Sequence, residues 1–228
     1  MRDSLLLQFS DYHSEPWYAR ATLPRILGPA GYRRAKRCLD LVICIALLPI
    51  VIPVLLLCAV AIRLDSAGPV LYARDRTGKG GRRFRMWKLR TMVQNAEELK
   101  PKYAHLNEHA WPDFFITNDP RVTRVGRVLR KTSLDELPQI INVIVGDMSL
   151  VGPRPTSYKA DTYRLWHTGR LEVQPGITGL AQVSGRKELE FDDKLRFDLA
   201  YIRHRSFGLD LAILLRTASR VAFGKGAY

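Results

Sequence analysis

Hydrophobic positions are bunched in one part of this chain. The segment 41–62, LVICIALLPIVIPVLLLCAVAI, carries no charged residue. At a rise of ~1.5 Å per residue, a straight helix of this length reaches across a ~30 Å hydrocarbon core. Pro49 and Pro53 stand in its middle. Each proline removes a helix N–H and crowds the preceding turn, so the pattern predicts a bend or a break there. Arg33, Arg34, Lys36 and Arg37 precede the segment, and Arg63, Arg74, Arg76 and Lys79 follow it. Basic residues on both flanks draw both ends to the same side of a bilayer. The expected element is a re-entrant helix-break-helix over 33–66 that enters a membrane and returns. A single crossing is the first alternative. A signal peptide ending at Ala59-Val60-Ala61 is the second, and it needs a leader far longer than the usual ~15–30 residues.

Elsewhere the pattern is that of a small folded domain. Residues 1–32 show no clear periodicity and contain Pro16, Pro24, Gly28, Pro29 and Gly31, as expected of a mobile or loosely packed leader. Residues 70–73 and 84–92 read as strands, with Gly78, Gly80 and Gly81 in the turn between them. The Gly-Lys-Gly-Gly run lacks phosphate-loop spacing and reads as a hairpin turn. A helix is expected to start over 95–103 and give way to irregular chain around Trp111-Pro112. In DPRVTRVGRVLRKTS, Val122, Val125, Val128 and Leu129 share one helical face, and Arg121, Arg124, Arg127 and Arg130 recur beside it. This is a basic amphipathic helix, either a solvated surface helix or one that meets lipid headgroups or phosphate. A short apolar helix follows over 136–146, then a helix over 156–167, a glycine-rich stretch, and closing helices over Phe191–His204 and 209–223. The last has an apolar face of Leu211, Leu214, Leu215, Ala218 and Val221, which could pack on the core or lie in a membrane interface. The elements predict a mixed, helix-rich α/β architecture, with a small hairpin and a compact domain over 67–228.

Charge narrows the function. The 228 residues carry a net charge of +14. Such a balance fits a polyanionic partner: nucleic acid, an anionic membrane surface, or phosphate-bearing substrates. A non-catalytic basic surface protein is one way to use it. No groove-reading motif is present, so nucleic acid is not the expected partner. Cys38, Cys44 and Cys58 form no C-x-x-C pair, which fits a reducing, cytoplasmic environment for the rest of the chain. The 5 histidines show no metal spacing, and no G-x-S-x-G elbow exists.

The stretch KTSLDELPQIINVIVGDMSLVGPRP, 131–155, carries the candidate chemistry. Asp135 and Glu136 are adjacent carboxylates at an expected helix start, where Pro138 fits and Ser133/Glu136 have capping-box spacing. An acidic pair in a first turn also suits the helix dipole, with no chemistry implied. With Arg130 nearby, the carboxylate at Asp135 is expected to stay ionised, and an ionised, partly desolvated aspartate can attack phosphorus. Its neighbour can hold Mg²⁺ against phosphate oxygens. Arg130, Arg154 and Arg186 are candidates to stabilise charge on those oxygens. Asp147, Asp198 and Asp210 are further candidates for metal or hydroxyl contacts, though each, taken singly, suits a cap or an ion pair.

These pieces in order resemble the bacterial sugar transferases, the monotopic phosphoglycosyl transferases that start exopolysaccharide, O-antigen or glycoprotein glycan assembly. The resemblance runs from about Tyr32 to the C-terminus. It rests on KRCLDLV, WKLRTM at 87–92, DPRVTRVGRVLRKTSLDELPQ at 119–139, GDMSLVGPRP at 146–155 and PGITGLAQVSGR at 175–186. It implies a re-entrant membrane helix entering from the cytoplasmic face of the bacterial inner membrane. It also implies a ping-pong reaction: an aspartate takes the phosphosugar of a UDP-sugar, releases UMP, and passes the phosphosugar to undecaprenyl phosphate. On the matching motifs, Asp135 is the nucleophile and Glu136 the Mg²⁺ ligand. Lys88, Arg130, Arg154 and Arg186 match basic substrate-binding positions, and Asp198 and Asp210 match acidic ones. The family's Ser-Pro break aligns with Ile52-Pro53, so the serine is missing, while Pro49 adds a second breaker. An arginine often found before Pro-Gly-Ile-Thr-Gly is Gln174 here. The short form resembles enzymes that prime exopolysaccharide with a hexose-1-phosphate, glucose or galactose.

Overall fold

The computed structural model describes residues 16–21, 28–108, 114–185 and 189–222. A short helix α1 (Trp17–Arg20) precedes the long helix α2 (Pro29–Asp65). An antiparallel hairpin follows, β1 (Leu71–Thr77) and β2 (Arg83–Leu89). Helices α3 (Arg124–Thr132) and α4 (Gln139–Val145) come next. A two-stranded parallel sheet pairs β3 (Ser149–Val151) with β4 (Gly176–Thr178). Helices α5 (Leu180–Gly185), α6 (Phe191–His204) and α7 (Phe207–Ala222) close the chain. The architecture is mixed and helix-rich, with small sheets and one long apolar helix.

Helix α2 is long and apolar enough to cross a membrane by length and composition. The predicted break is not there: helical backbone runs from Pro29 to Asp65 through both prolines. The reason lies in its inner face. Cys44, Leu48, Val51, Leu55, Cys58 and Ile62 recur at alternating steps of four and three, one helical stripe, and all pack into the core. An interior proline costs ~3 kcal/mol, whereas each buried apolar side chain contributes ~1.5–3 kcal/mol. The stripe outweighs the two prolines, and a proline's fixed φ is itself helical. The outer face is apolar too, and bare: Ile45, Ile50, Leu56, Leu57 and Val60 are all more than half exposed.

Both ends of α2 are latched to the same body. At its start, Arg37 donates to the Val143 and Ile144 carbonyls, capping the C-terminus of α4. Lys36 and Tyr32 bind Asp210 of α7 at 2.8 and 3.0 Å, and Asp40 accepts from Ser149 Oγ at 2.7 Å. At its end, Asp65 accepts from the Val125 N–H at 3.0 Å, in the first turn of α3. Buried Arg90 donates to the Ser66 carbonyl at 2.6 Å and so caps α2 itself.

Part of the expected leader is packed. Trp17, Tyr18 and Ala21 lie against the core, and Arg216 stacks 3.7 Å over the Trp17 ring. Residues 1–15 and 22–27 lie outside the described residues, as does Trp111-Pro112. The helix expected over 95–103 is instead a run of turns leading to a 3₁₀ helix, Pro101–Leu106, because Pro101 has no N–H to continue an α-helix. In place of the helix expected over 156–167 stand two 3₁₀ helices, Ala160–Thr162 and Leu165–Glu172. Its residues turn outward to tertiary partners: Thr156 bridges to Thr77 and bonds Tyr163, and His167 faces Asp192 at 3.5 Å.

Asn142 sets where the hairpin sits. It is 1% exposed. Its Oδ1 accepts from the Trp87 N–H at 3.0 Å, and its Nδ2 donates to the Arg85 carbonyl at 2.8 Å, so α4 grips β2 beside Lys88. Asn142→Leu leaves two backbone groups unpaired and is expected to lower unfolding free energy by roughly 2–4 kcal/mol. Denaturant unfolding of the detergent-solubilised protein checks this; a change within experimental error would show that water replaces both bonds.

Candidate active site

The site begins where α3 ends. Leu129 in α3 is buried, while Val128 faces out. Ser133 then adopts φ 58°, ψ 16°, the one positive φ at a non-glycine position among the described residues. A left-handed conformation costs ~1–2 kcal/mol away from glycine, and such strain gathers at functional sites. The turn starts a 3₁₀ helix, Leu134–Glu136. The capping box expected at Ser133 is therefore not formed: Ser133 makes no side-chain cap, and α4 starts only after Pro138. Leu134 packs beside Leu89 and Leu129, and that anchor delivers the next two residues to the site.

Asp135 and Glu136 lie together, nearly out of solvent, among cations. The Lys88 Nζ sits 3.5 Å from Asp135 Oδ2 and 2.9 Å from Glu136 Oε1. Arg154 grips Glu136 with both Nη atoms, Nη1 to Oε2 at 3.2 Å. Arg130 donates from Nε to Thr91 Oγ1 at 2.9 Å, and its charge also acts on Asp135. The structure thus brings Asp135, Glu136, Lys88, Arg130 and Arg154 to one place. Burial pushes the Asp135 carboxyl up from the ordinary aspartate range and Glu136 adds to this, while Lys88, Arg130 and Arg154 pull it down. The net direction is upward, where the sequence leads one to expect a carboxylate held firmly ionised.

Other predicted site residues lie elsewhere. Asp198 is 2% exposed and pairs with Arg170 at 2.8 Å; burial pushes its carboxyl up to about 6. Arg170 also donates to the Arg154 carbonyl. Asp198 therefore stands behind the Arg154 loop and does not line the dyad. Asp210 is the hub of the α2 latch, bound by Tyr32, Lys36 and Tyr201. Both carboxylates are thus engaged in ion pairs inside the protein. Arg186 lies outside the described residues. Sequence reasoning passed over Thr91, Asn142 and Arg170, each of which holds a site residue in place. Thr91 was within reach, since it stands in the same WKLRTM run as Lys88.

Among the described residues, no group of three or more His, Cys, Asp or Glu side chains gathers to hold a metal. The dyad offers two carboxylates, the number Mg²⁺ commonly takes from protein when phosphates supply further ligands. A cavity of about 290 Å³ opens beside the dyad. Leu47 and Val51 of α2, with Leu137 and Ile140, form apolar walls, and Glu136 and Arg154 stand at its polar edge.

The bacterial sugar transferase family model matches residues 31–224. The chain belongs to the bacterial sugar transferases. It is 43% identical over 207 residues to an undecaprenyl-phosphate galactose phosphotransferase of Salmonella typhimurium, covering 89% of this chain and 43% of that protein. It is 42% identical over 203 residues to a UDP-glucose:undecaprenyl-phosphate glucose-1-phosphate transferase of Caulobacter vibrioides, covering 85% and 72%. It is 37% identical over 201 residues to the exopolysaccharide production protein ExoY of Rhizobium meliloti, covering 85% and 88%. The chain spans under half the length of the Salmonella relative and of a UDP-galactose-lipid carrier transferase of Erwinia amylovora.

The raised carboxyl in this sugar transferase has a thermodynamic consequence. Between the unfolded and folded pKa of Asp135, the folded chain binds the proton more tightly. Stability therefore falls as pH rises through that window, and the carboxylate is a full liability above it. Asp135→Asn is expected to melt higher at neutral pH, by roughly 2–4 °C per kcal/mol gained. The gain should vanish below the ordinary carboxylate range. Melting curves across pH check this; an Asn variant that melts lower at neutral pH would show that the cations outweigh burial.

Proposed function

We propose that this chain transfers a hexose-1-phosphate, of glucose or galactose, from a UDP-sugar to undecaprenyl phosphate, yielding UMP and undecaprenyl-diphosphate-sugar. The observation that carries this reading is a buried Asp-Glu dyad, set among Lys88, Arg130 and Arg154, whose Glu136 lines an apolar cavity walled by the long apolar helix. A phosphate donor needs the cations, and a prenyl acceptor needs the cavity. The relatives' names point to the same carrier lipid and to galactose or glucose.

In the first half-reaction, an Asp135 carboxylate oxygen attacks the β-phosphorus. The bond from that phosphorus to the bridging oxygen breaks, and UMP leaves with the electron pair. In the second, a phosphate oxygen of undecaprenyl phosphate attacks the same phosphorus, and the aspartyl oxygen leaves as the regenerated carboxylate. Lys88, Arg130 and Arg154 stabilise charge on the phosphoryl oxygens. Glu136 would hold Mg²⁺, which would supply positive charge at those oxygens.

Placement on one side of a membrane, the bacterial inner membrane with the site toward the cytoplasm, follows from the same reading. A crossing helix would carry one end away from the domain, yet both ends of α2 bind it. The bare outer face of α2, and Leu211, Leu215 and Val221 of α7, supply apolar surface for lipid.

Purified protein with Mg²⁺, undecaprenyl phosphate and a panel of UDP-sugars is expected to release UMP with one hexose donor. Asp135→Asn should lose this by at least about 10³-fold, in line with removal of a nucleophile. Intact-mass spectrometry with donor alone should trap a phosphohexose on the wild-type chain. Turnover retained by the Asn variant, or turnover without any trapped adduct, would remove Asp135 from the nucleophile's role.

A further inference from the structure

The hairpin carries one more cation toward the site. In the β1–β2 register, Tyr72 opposes Lys88, Arg74 opposes Met86 and Arg76 opposes Phe84. Opposed residues project to the same side of a strand pair, and alternate residues share that side. Phe84 and Met86 are buried in the core, and Lys88 reaches the dyad. Arg76 therefore lies on the inward face, while its neighbour Asp75 is exposed. The end of β1 is fixed to the Arg154 loop, because the Thr77 N–H donates to the Thr156 carbonyl at 2.9 Å.

Buried arginines elsewhere in this chain have acceptors. Arg121 is bound by Asp119, Arg170 by Asp198, and Arg90 by the end of α2. Arg90 too leaves Nε and Nη1 unpaired, but its Nη2 is held; the Nε of half-buried Arg76 is sealed from solvent without a hydrogen-bond partner, and no carboxylate pairs with Arg76 among the described residues. The strongest charge acting on it is Arg154, followed by Arg74; burial and these like charges pull its pKa down to about 10. A half-buried guanidinium with a sealed, unpaired Nε among like charges is a local penalty, because a desolvated charge lacks a counter-ion. An anion entering between Arg76 and Arg154 removes it. Arg154 bonds Glu136 and its charge acts on Asp135, whereas Arg76 is not among the main charges acting on Asp135 and so bears less directly on the dyad than Arg154 does.

We propose that Arg76 is a further substrate-binding residue, clasping with Arg154 the phosphate that stays with uridine, the α-phosphate of the donor and of departing UMP. This rests on the transferase reading above and adds the half of the diphosphate that the dyad does not reach. Arg76 then serves the donor and not the prenyl acceptor, a division that a merely structural residue would not show.

The test uses the full chain in detergent, as wild type, Arg76→Gln and Arg76→Lys. Three quantities are read: the melting temperature of the ligand-free protein, its rise with inorganic pyrophosphate, and KM for UDP-sugar and for undecaprenyl phosphate separately. Ligand that binds only the folded state raises the melting point. Arg76→Gln is expected to melt no lower than wild type and to lose most of the pyrophosphate response. It should raise the donor KM by roughly 10–100-fold, the range of a lost charge-assisted bond, and leave the acceptor KM within about twofold. Arg76→Lys, which keeps the charge, should recover part of each loss. A lower melting point with the pyrophosphate response intact, or an unchanged donor KM, would overturn the assignment. If wild type releases no UMP from any UDP-sugar yet its pyrophosphate response depends on Arg76, the anion site stands and the transferase reading falls.

Discussion

Two carboxylates on successive residues cannot be taken out of water side by side unless cations are brought to them, and this requirement arranges the rest of the domain. Lys88 comes from the hairpin and Arg154 from the loop after β3, elements with no sequence proximity to Asp135 and Glu136. Each must be held by something else. Asn142 holds β2 by two backbone bonds, and Arg170, fixed by Asp198, holds the Arg154 carbonyl. Ser133 accepts a strained backbone so that the dyad leaves α3 in the needed direction. The charges meet only because the fold places their supports, and the fold tolerates them only because they meet.

Much of this could be read from residue order. The hairpin, the basic helix and the limits of the closing helix Phe191–His204 follow from local periodicity, and the structure shows them. The dyad and its cations were legible as candidates because adjacent carboxylates near arginines are chemically conspicuous. What could not be read was set by partners far along the chain. Residues 156–167 have helical composition, yet their polar groups are claimed by Thr77 and Asp192. Asp198 and Asp210 suit either a ligand contact or an ion pair in sequence, and the structure pairs them with Arg170 and Lys36. The prolines of α2 signal a break, and a packed stripe that continues on either side of them keeps the helix whole.

Helix α7 divides its expected apolar face between two surroundings. Leu211, Leu215 and Val221 turn outward, while Leu214 packs against the core. The core also takes Leu209 and Ile213, neither of them accessible to solvent. In a water-soluble domain the most conspicuous stripe is the one that packs. Here α7 has apolar surface on both sides, as α2 does, and the pair share the property of being greasy where no protein covers them. That property belongs to surface meant for a non-aqueous neighbour, and it agrees with the placement proposed above.

Fastening α2 at both ends makes it a keel of fixed draught. A helix tied at one end can tilt to match bilayers of different thickness, but this one cannot pivot without tearing Arg37 from α4 or Asp65 from α3. On the proposed placement, the height of the dyad above the lipid is then a property of the protein alone. The acceptor's head must climb to meet it, and the membrane must deform around the helix rather than the reverse.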